Sequence, residues 1–385
     1  MALTLKKNVD IAVMEESTEG TYVAPASGAD YLAAIVDGNT ISPSKEAVER
    51  NVLNGSLVKE NPRHGIKSVA GNIQVELKAN GTEGASPEFE PLIKSALGGS
   101  RNAATQTSGT TNTSSVINFA DTSMFAVGDI VVVKEAGAFH ASPIASIVTD
   151  TSITLEIAAS GAFSDNVEVA AYQTYYGANS GHPSLSVSKY DDDAVLEKAV
   201  GCKVNSMSMS DFTPGGTAKL DFSFEGLDFD RTLTANPYDP SFDAALPPII
   251  LSACVYMDGA LLEVSEVSLS VENTLAFKTT TCSANGRVGS TVTERVVSGS
   301  FTSFKESDDL TVFNKFNDET EFSLFLRAYI PSATTGEYED SFAVWLPKCK
   351  ANEISDSDQD GIQQDSVSFT ASVDANTNDI VVSFS

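Results

Sequence analysis

Four stretches of this chain alternate apolar side chains with acidic, amide or hydroxylic ones: Asn72 to Leu77, Leu220 to Glu225, Val267 to Glu272 and Val297 to Phe301. Successive side chains of a strand point to opposite sides, so alternation predicts strands with one dry face and one wet face. Several such strands in one chain predict a sheet whose second face meets water, or meets something that must not stick to it.

The same reading places other elements. Val9–Val13 and Ala33–Val36 read as short strands, with turn-forming residues at Glu19-Gly20-Thr21 and Ala24 to Gly28 between them. Residues 39–67 are mostly polar and are punctuated by Pro43, Gly55, Pro62 and Gly65. A stretch this long without structure of its own is uncommon in a compact domain. It reads as a long hairpin or projecting loop leading into a strand over Ser68–Leu77. Phe89, Leu92, Ile93, Ala96 and Leu97 then form one apolar stripe at helical spacing, predicting a helix over 87–97. Ser86 can cap it and Gly98-Gly99 ends it, while Pro91 moves its start toward Glu90.

Composition changes after Gly99. Residues 101–115 are nearly all small and polar, which predicts a linker. Short strands follow at Val116–Phe119, Phe125–Val133, Ile144–Val148, Ile153–Ile157 and Val167–Tyr172, the spacing of a small β-barrel or sandwich. This divides the chain into residues 1–100, an inserted all-β module with its linker over 101–180, and residues 181–385. The last part reads as strands at Leu185–Tyr190, Lys203–Ser210, Ala218–Gly226, Ser252–Met257, Leu261–Glu272, Arg295–Ser303, Phe322–Tyr329, Phe342–Leu346, Ser366–Val373 and Ile380–Phe384. A short helix is expected over Asp308–Phe316, with Leu310, Phe313 and Phe316 inward. Lys203–Ser210 with Ala218–Gly226 weakly echoes the stretches beginning at Glu263 and Val296. The fold class is therefore all-β with one flanking α-helix and an inserted small β-domain.

Charge narrows the partners. The 385 residues carry 24 Lys and Arg against 52 Asp and Glu, a formal net charge of −28. Such a surface repels nucleic-acid phosphate. The hydrophobic content of 42% is enough for a folded core. Cys202, Cys254, Cys282 and Cys349 are widely spaced, which favours reduced, mostly buried thiols over a disulfide or zinc scaffold. No apolar run approaches the ~20 residues of a membrane span. The segment after Lys6-Lys7 lacks the apolar core of a secretory signal, so synthesis and retention in a cytoplasm are expected.

No constellation for catalysis stands out, and no cofactor motif is present. Asp356, Asp358 and Asp360 before Gly361 match the opening of a calcium loop, yet position twelve is Val367 instead of glutamate. A polar turn is the simpler reading. His64, His140 and His182 lie in turn-like sequence and read as exposed loop residues. Asp191-Asp192-Asp193 reads as a solvated hairpin tip, and Trp345 as core.

Motif order carries a resemblance. Glu16 to Tyr22 leads to Ile41 through Arg50, then Gly71 to Glu76 and the helix after Pro87. Arg295 to Phe301, Leu324 to Leu326, Ala343 to Lys348, Asp360 to Asp365 and Val367 to Ala371 follow. That order resembles the major tail protein, or tail tube protein, of long-tailed phages, over about the N-terminal quarter and the C-terminal half. The resemblance implies a structural virion protein, not an enzyme. Its β-sandwich-like protomers would form rings, usually six-fold, that stack into a hollow tube. It would contact itself, and other tail proteins at the tube ends, and genomic DNA would pass through during ejection without specific binding. In that setting the wet faces would line the lumen, which nominates Gln74, Glu76, Asp221, Ser223, Glu225, Ser268, Ser270 and Glu272. Pairing sheet edges around a ring would remove exposed edges. The segment 39–67 becomes a candidate for contact with the next ring, through Lys45, Glu46, Glu49, Arg50, Lys59, Glu60 and Arg63. The module would sit on the tube exterior. Alternatives from other classes are a capsid decoration or tail terminator protein, and a secreted calcium- or carbohydrate-binding β-protein.

Overall fold

The computed structural model describes residues 5–53, 55, 57–135, 138–192, 194–251, 253–306, 310–331, 338–373 and 378–384. In chain order the strands of the first part are β1 (Val9–Glu15), β2 (Tyr31–Leu32), β3 (Thr40–Val48), β4 (Arg63–Glu76) and β5 (Gly98–Arg101). A second group comprises β6 (Ala104–Thr107), β7 (Val116–Asn118), β8 (Ile130–Glu135), β9 (Ala138–Val148), β10 (Ser152–Leu155) and β11 (Glu168–Ala171). The chain then returns through β12 (Gln173–Gly177), β13 (Leu185–Asp191), β14 (Val195–Phe212), β15 (Lys219–Gly226) and β16 (Asp228–Leu233). It continues with β17 (Ala253–Met257), β18 (Ala260–Leu262), β19 (Val264–Thr279) and β20 (Arg287–Phe304). The last strands are β21 (Phe322–Pro331), β22 (Tyr338–Gln359), β23 (Ile362–Ala371) and β24 (Val381–Phe384). Helix α1 spans Glu90–Leu97 and α2 spans Thr311–Asn317. The protein is all-β. Neither helix is long and apolar enough to cross a membrane.

Hydrogen-bonded neighbours run β3-β4-β15-β14-β19-β20-β23-β22 in a first antiparallel layer. The long strand β22 belongs to two layers. Beyond its pairing with β23, its first half joins a second layer, β18-β17-β21-β22-β24-β12-β5. The start of β14 likewise leaves the first layer to pair with β13 and β16, and β13 joins β1, which in turn pairs with β2.

The dry faces of the first two layers close on one core. Phe222, Phe224, Met207, Leu269, Phe301 and Phe369 come from the first, and Leu324, Phe342, Val344 and Phe384 from the second. Each large side chain so buried contributes about 1.5–3 kcal/mol relative to exposure. Room for the aromatic rings is made locally. A Cβ at Gly299 would stand 2.6 Å from the Phe369 ring and 2.5 Å from the Ser268 carbonyl oxygen. The helix α1 plugs this core with Leu92, Ile93, Ala96 and Leu97. It starts at Glu90 with Pro91 in its first turn, where a missing N–H costs nothing. Ser86 is not its cap. It stops at Gly98, whose φ of 87° is the left-handed conformation that glycine adopts freely.

Strands β6 to β11 form a separate six-stranded sheet around Ile117, Phe125, Val131, Val133, Ile153 and Val169. It packs on the main body through Ile130, Val132 and Tyr172, which meet Phe325, Ala343 and Trp345. This contact explains the nearly continuous apolar run of β21 and β22: alternate residues face the core and the six-stranded sheet. Arg101 and Asp129 form an ion pair between the two parts.

Several expectations are corrected. Residues 104–107, within the expected linker, are a strand, and residues 98–101, where only the helix stop and the start of the linker were expected, are another, because backbone pairing with β11 and β12 overrides weak side-chain propensity. Residues 33–36 form only an isolated bridge from Ala34 to Val75. Phe125 lies outside β8, which starts at Ile130. The second helix starts at Thr311. Asp308, within the span expected for it, lies outside the described residues. Leu310 and Phe313 are exposed, while Val312 and Phe316 pack on the core. Two histidines are half-buried instead of loop-exposed: His140 bonds to the Ile157 carbonyl at 2.7 Å, and His182 to the Ser95 carbonyl at 2.9 Å. Of the thiols, Cys202 and Cys349 are buried, whereas Cys282 is exposed. Asp191 and Asp192 stand at the β13–β14 turn, and Asp193 lies outside the described residues.

Candidate functional site

The wet face of the first layer is continuous. Register carries one cross-strand row from Gln74 through Asp221, Ser208, Ser270 and Ser298 to Thr370. A second row holds Asn72, Ser223, Ser206 and Glu272. A third holds Ser268, Ser300 and Ser368. Glu76 stands opposite Lys219, and Glu225 opposite Lys203. All eight residues nominated by alternation therefore share one face. Residues not nominated but on it include Asn72, Ser206, Ser208, Ser298, Ser300, Ser368 and Thr370. Their signal was the same alternation, read on β4, β14, β20 and β23.

Hydrogen bonds within the face fix its side chains. The Gln74 amide donates to Asp221 Oδ1 at 2.7 Å and the Ser210 hydroxyl to Asp221 Oδ2 at 3.2 Å. Ser206 and Ser270 donate to Glu272 Oε1 at 2.7 and 2.9 Å. The hydroxyls of Ser268 and Ser300 are 2.8 Å apart. Cations on the face or at its border are held by the chain's own carboxylates: Lys219 by Asp211 at 2.6 Å, Lys350 by Glu319 at 3.0 Å, and Lys203 at 3.7 Å from Glu19. Lys203 also donates to the Ser290 carbonyl oxygen at 2.6 Å. Such a surface offers hydroxyls and carboxylates to a neighbour, with its ammonium groups already neutralised.

The segment 39–67 is a two-stranded hairpin, β3 paired with β4 from Thr40–Asn72 to Val48–Arg63. Exposed side chains occupy nearly all of β3. Of the residues nominated for contact with another ring, Lys45 and Glu46 lie on β3 and Arg63 begins β4. The other four pair across the neck: Arg50 with Glu60 at 2.9 Å and Lys59 with Glu49 at 2.6 Å. Beyond them Val52, Leu53, Leu57 and Val58 project into solvent, with both leucines fully exposed. These apolar doublets were the missed signal. Loops carry such groups when something else covers them.

The calcium-like sequence falls on the end of β22 and its turn into β23. Asp356 is ion-paired with Lys305, and Asp358 accepts a bond from the Gly361 amide at 3.3 Å. Among the described residues no three His, Cys, Asp or Glu side chains gather as metal ligands.

The first layer thus combines a sealed apolar side, an ordered hydroxylic side and a projecting hairpin. A family model described as "Phage tail tube protein" matches residues 7–373, and the chain belongs to that family. It is a structural component of the phage tail, and so of the virion. A search of curated proteins gives no match.

Proposed function

We propose that this chain closes into rings, hexameric by family resemblance, that stack into a hollow tube, with the wet face of the first layer as the wall of the bore. The carrying observation is the unbroken hydroxyl and carboxylate surface across six strands, backed by an apolar core and carrying cations already bound to carboxylates. A polyanion finds no ammonium cluster there to exchange for its counterions, so it slides without binding. The exposed edge strand β3 supplies a lateral partner surface, since an unpaired edge seeks another strand. The six-stranded sheet stands on the exterior, the hairpin 39–67 contacts the neighbouring ring, and other tail proteins cap the tube ends. Subunits are made in the host cytoplasm.

The test places cations in the bore. Glu225→Lys with Glu272→Lys leaves the subunit folded and assembled but slows genome ejection, measured as DNA release over time. Ejection at the unmodified rate from fully assembled particles contradicts the reading.

A further inference from the structure

One set of strand pairings occurs twice in the chain. β1 pairs with β2 and β13, β13 with β14, β14 with β16 and β15, and β15 with β4, which pairs with β3. In the same way β17 pairs with β18 and β21, β21 with β22, β22 with β24 and β23, and β23 with β20, which pairs with β19. In each set one helix, α1 or α2, follows the fourth strand. Strands β5 to β12 are an insertion after α1 with no counterpart after α2.

The irregularities repeat as well. Leu185 faces Cys202 and the register then shifts, as it does after Phe322 facing Cys349. β14 bulges between Val204 and Ser206 opposite Phe224 and Ser223, and β22 between Ala351 and Glu353 opposite Phe369 and Ser368. A Cβ at Gly71 would collide with the Phe224 ring and the Thr40 carbonyl, and one at Gly299 with the Phe369 ring and the Ser268 carbonyl. Cys202-Lys203-Val204-Asn205 and Cys349-Lys350-Ala351-Asn352 are the trace in sequence. A bulge is a placed feature, so shared bulges at matching residues mark one unit present twice, over 9–233 with the insertion and over 253–384. The echo read from the sequence set β14 and β15 against β19 and β20, which are not counterparts, because alternation is common to all strands.

In the first layer the two units stand side by side, β3-β4-β15-β14 and β19-β20-β23-β22, joined where β14 pairs with β19. The counterparts of those joining strands are β22 and β3, at the two outer edges. Among the described residues β3 pairs with β4 alone, and β22 beyond Cys349 with β23 alone. At the internal joint Met207 faces Val271 and both are buried. Their counterparts at the outer edges, Ile354 and Pro43, are half-buried and exposed. We propose that β22 of one copy pairs with β3 of the next around the ring, in the register that β14 keeps on β19. Ser208 opposes Ser270 inside the chain, so Ser355 opposes Ser42 between chains, with Ile354 on Pro43 and Glu353 on Ser44. Pro43 withholds at most one N–H from this ladder. The contact is heterologous and closes by rotation, as the internal joint already prescribes. This rests on the tube reading above and deepens it: each copy supplies two units, so a ring of six units takes three copies instead of six.

The test uses the full chain with Cys282→Ser, which removes the exposed thiol. In that background Ser42→Cys with Ser355→Cys sets two thiols opposite each other across the joint, within disulfide reach. Mild oxidation of the assembled protein yields covalent products that end at three chains, and neither single cysteine variant does. The pair Ser44→Cys with Ser357→Cys, four residues out of register, yields none. A density map of the unmodified tube shows three copies of the six-stranded sheet around each ring. Six such sheets per ring, equal cross-linking by the two pairs, or assembled rings of the first pair that do not cross-link overturn the assignment and leave the tube reading intact. Where the cysteines block assembly, the count of sheets in the unmodified ring decides alone. An unmodified chain that never self-associates brings down both.

Discussion

The two faces of the first layer share the same strands and differ in everything else. On one, Phe222, Phe224, Met207, Leu269 and Phe369 pack inward against the second layer and α1. On the other, at the alternate positions, Asp221, Ser223, Ser208, Ser270 and Ser368 are partly exposed. One residue of offset separates what holds the subunit together from what it presents. Substitutions on the dry face should therefore unfold the protein, and those on the wet face should leave it folded but altered in transport.

The sharpest way to break this division is Phe222→Ala. Its ring is fully buried and lies 6.4 Å from the Phe89 ring, so truncation leaves a cavity under α1. The expected loss is about 3–5 kcal/mol, read from denaturant unfolding. A loss below about 1 kcal/mol would mean that the core collapses around the gap.

Next is Arg295→Met. The guanidinium pairs with Asp379 through bonds of 2.7 and 3.0 Å and donates to the Ala178 carbonyl at 2.8 Å, in a site where both side chains are over nine-tenths buried. Removing it strands a buried carboxylate and should cost about 3 kcal/mol. The double variant Arg295→Met with Asp379→Leu should recover much of that loss. No recovery would show that the backbone contact of Arg295 matters more than the pair.

Acidification probes the buried side alone. Burial holds His182, with Arg295 and Lys203 nearby, and His140 below the ordinary imidazole value. A depressed folded value means that the neutral form is favoured in the native state. Its stabilisation is complete above about pH 6.5 and is lost as pH falls through the folded value. Melting temperature should fall between about pH 7 and pH 5, and His182→Gln should flatten that fall. An unchanged slope in His182→Gln would assign the loss to other groups.

The smallest effect belongs to the wet face. Ser223→Ala with Ser300→Ala removes exchangeable hydrogen bonds at positions that are only half-buried, and should change stability by less than about 1 kcal/mol. A larger loss would make these serines part of the fold and blur the two faces.

Alternation made the wet face legible in the sequence, because a strand's period is fixed by geometry and all eight nominated residues lie where it puts them. Strand ends were less legible. β14, β19, β20 and β22 run 16–22 residues, and their ends leave one layer for another, where the apolar pattern changes partner. Strands β5 and β6 were hidden in glycine, serine and threonine, since their backbone pairing needs no apolar side chain. The mixed charges of residues 45–63 drew attention to a polar contact. The fold shows four of them paired across the hairpin neck, leaving the apolar tip as the distinctive feature. Which residues of α2 face inward also escaped the pattern, because a helix of seven residues at a sheet end has too few positions to define a stripe.

The most direct measurement is a density map of the assembled protein resolved well enough to place side chains. The account predicts a hollow tube with Asp221, Ser223, Ser270 and Glu272 on its inner wall and the six-stranded sheet outside. A tube with those side chains on its outer surface, or with lysines and arginines coating the bore, would contradict it.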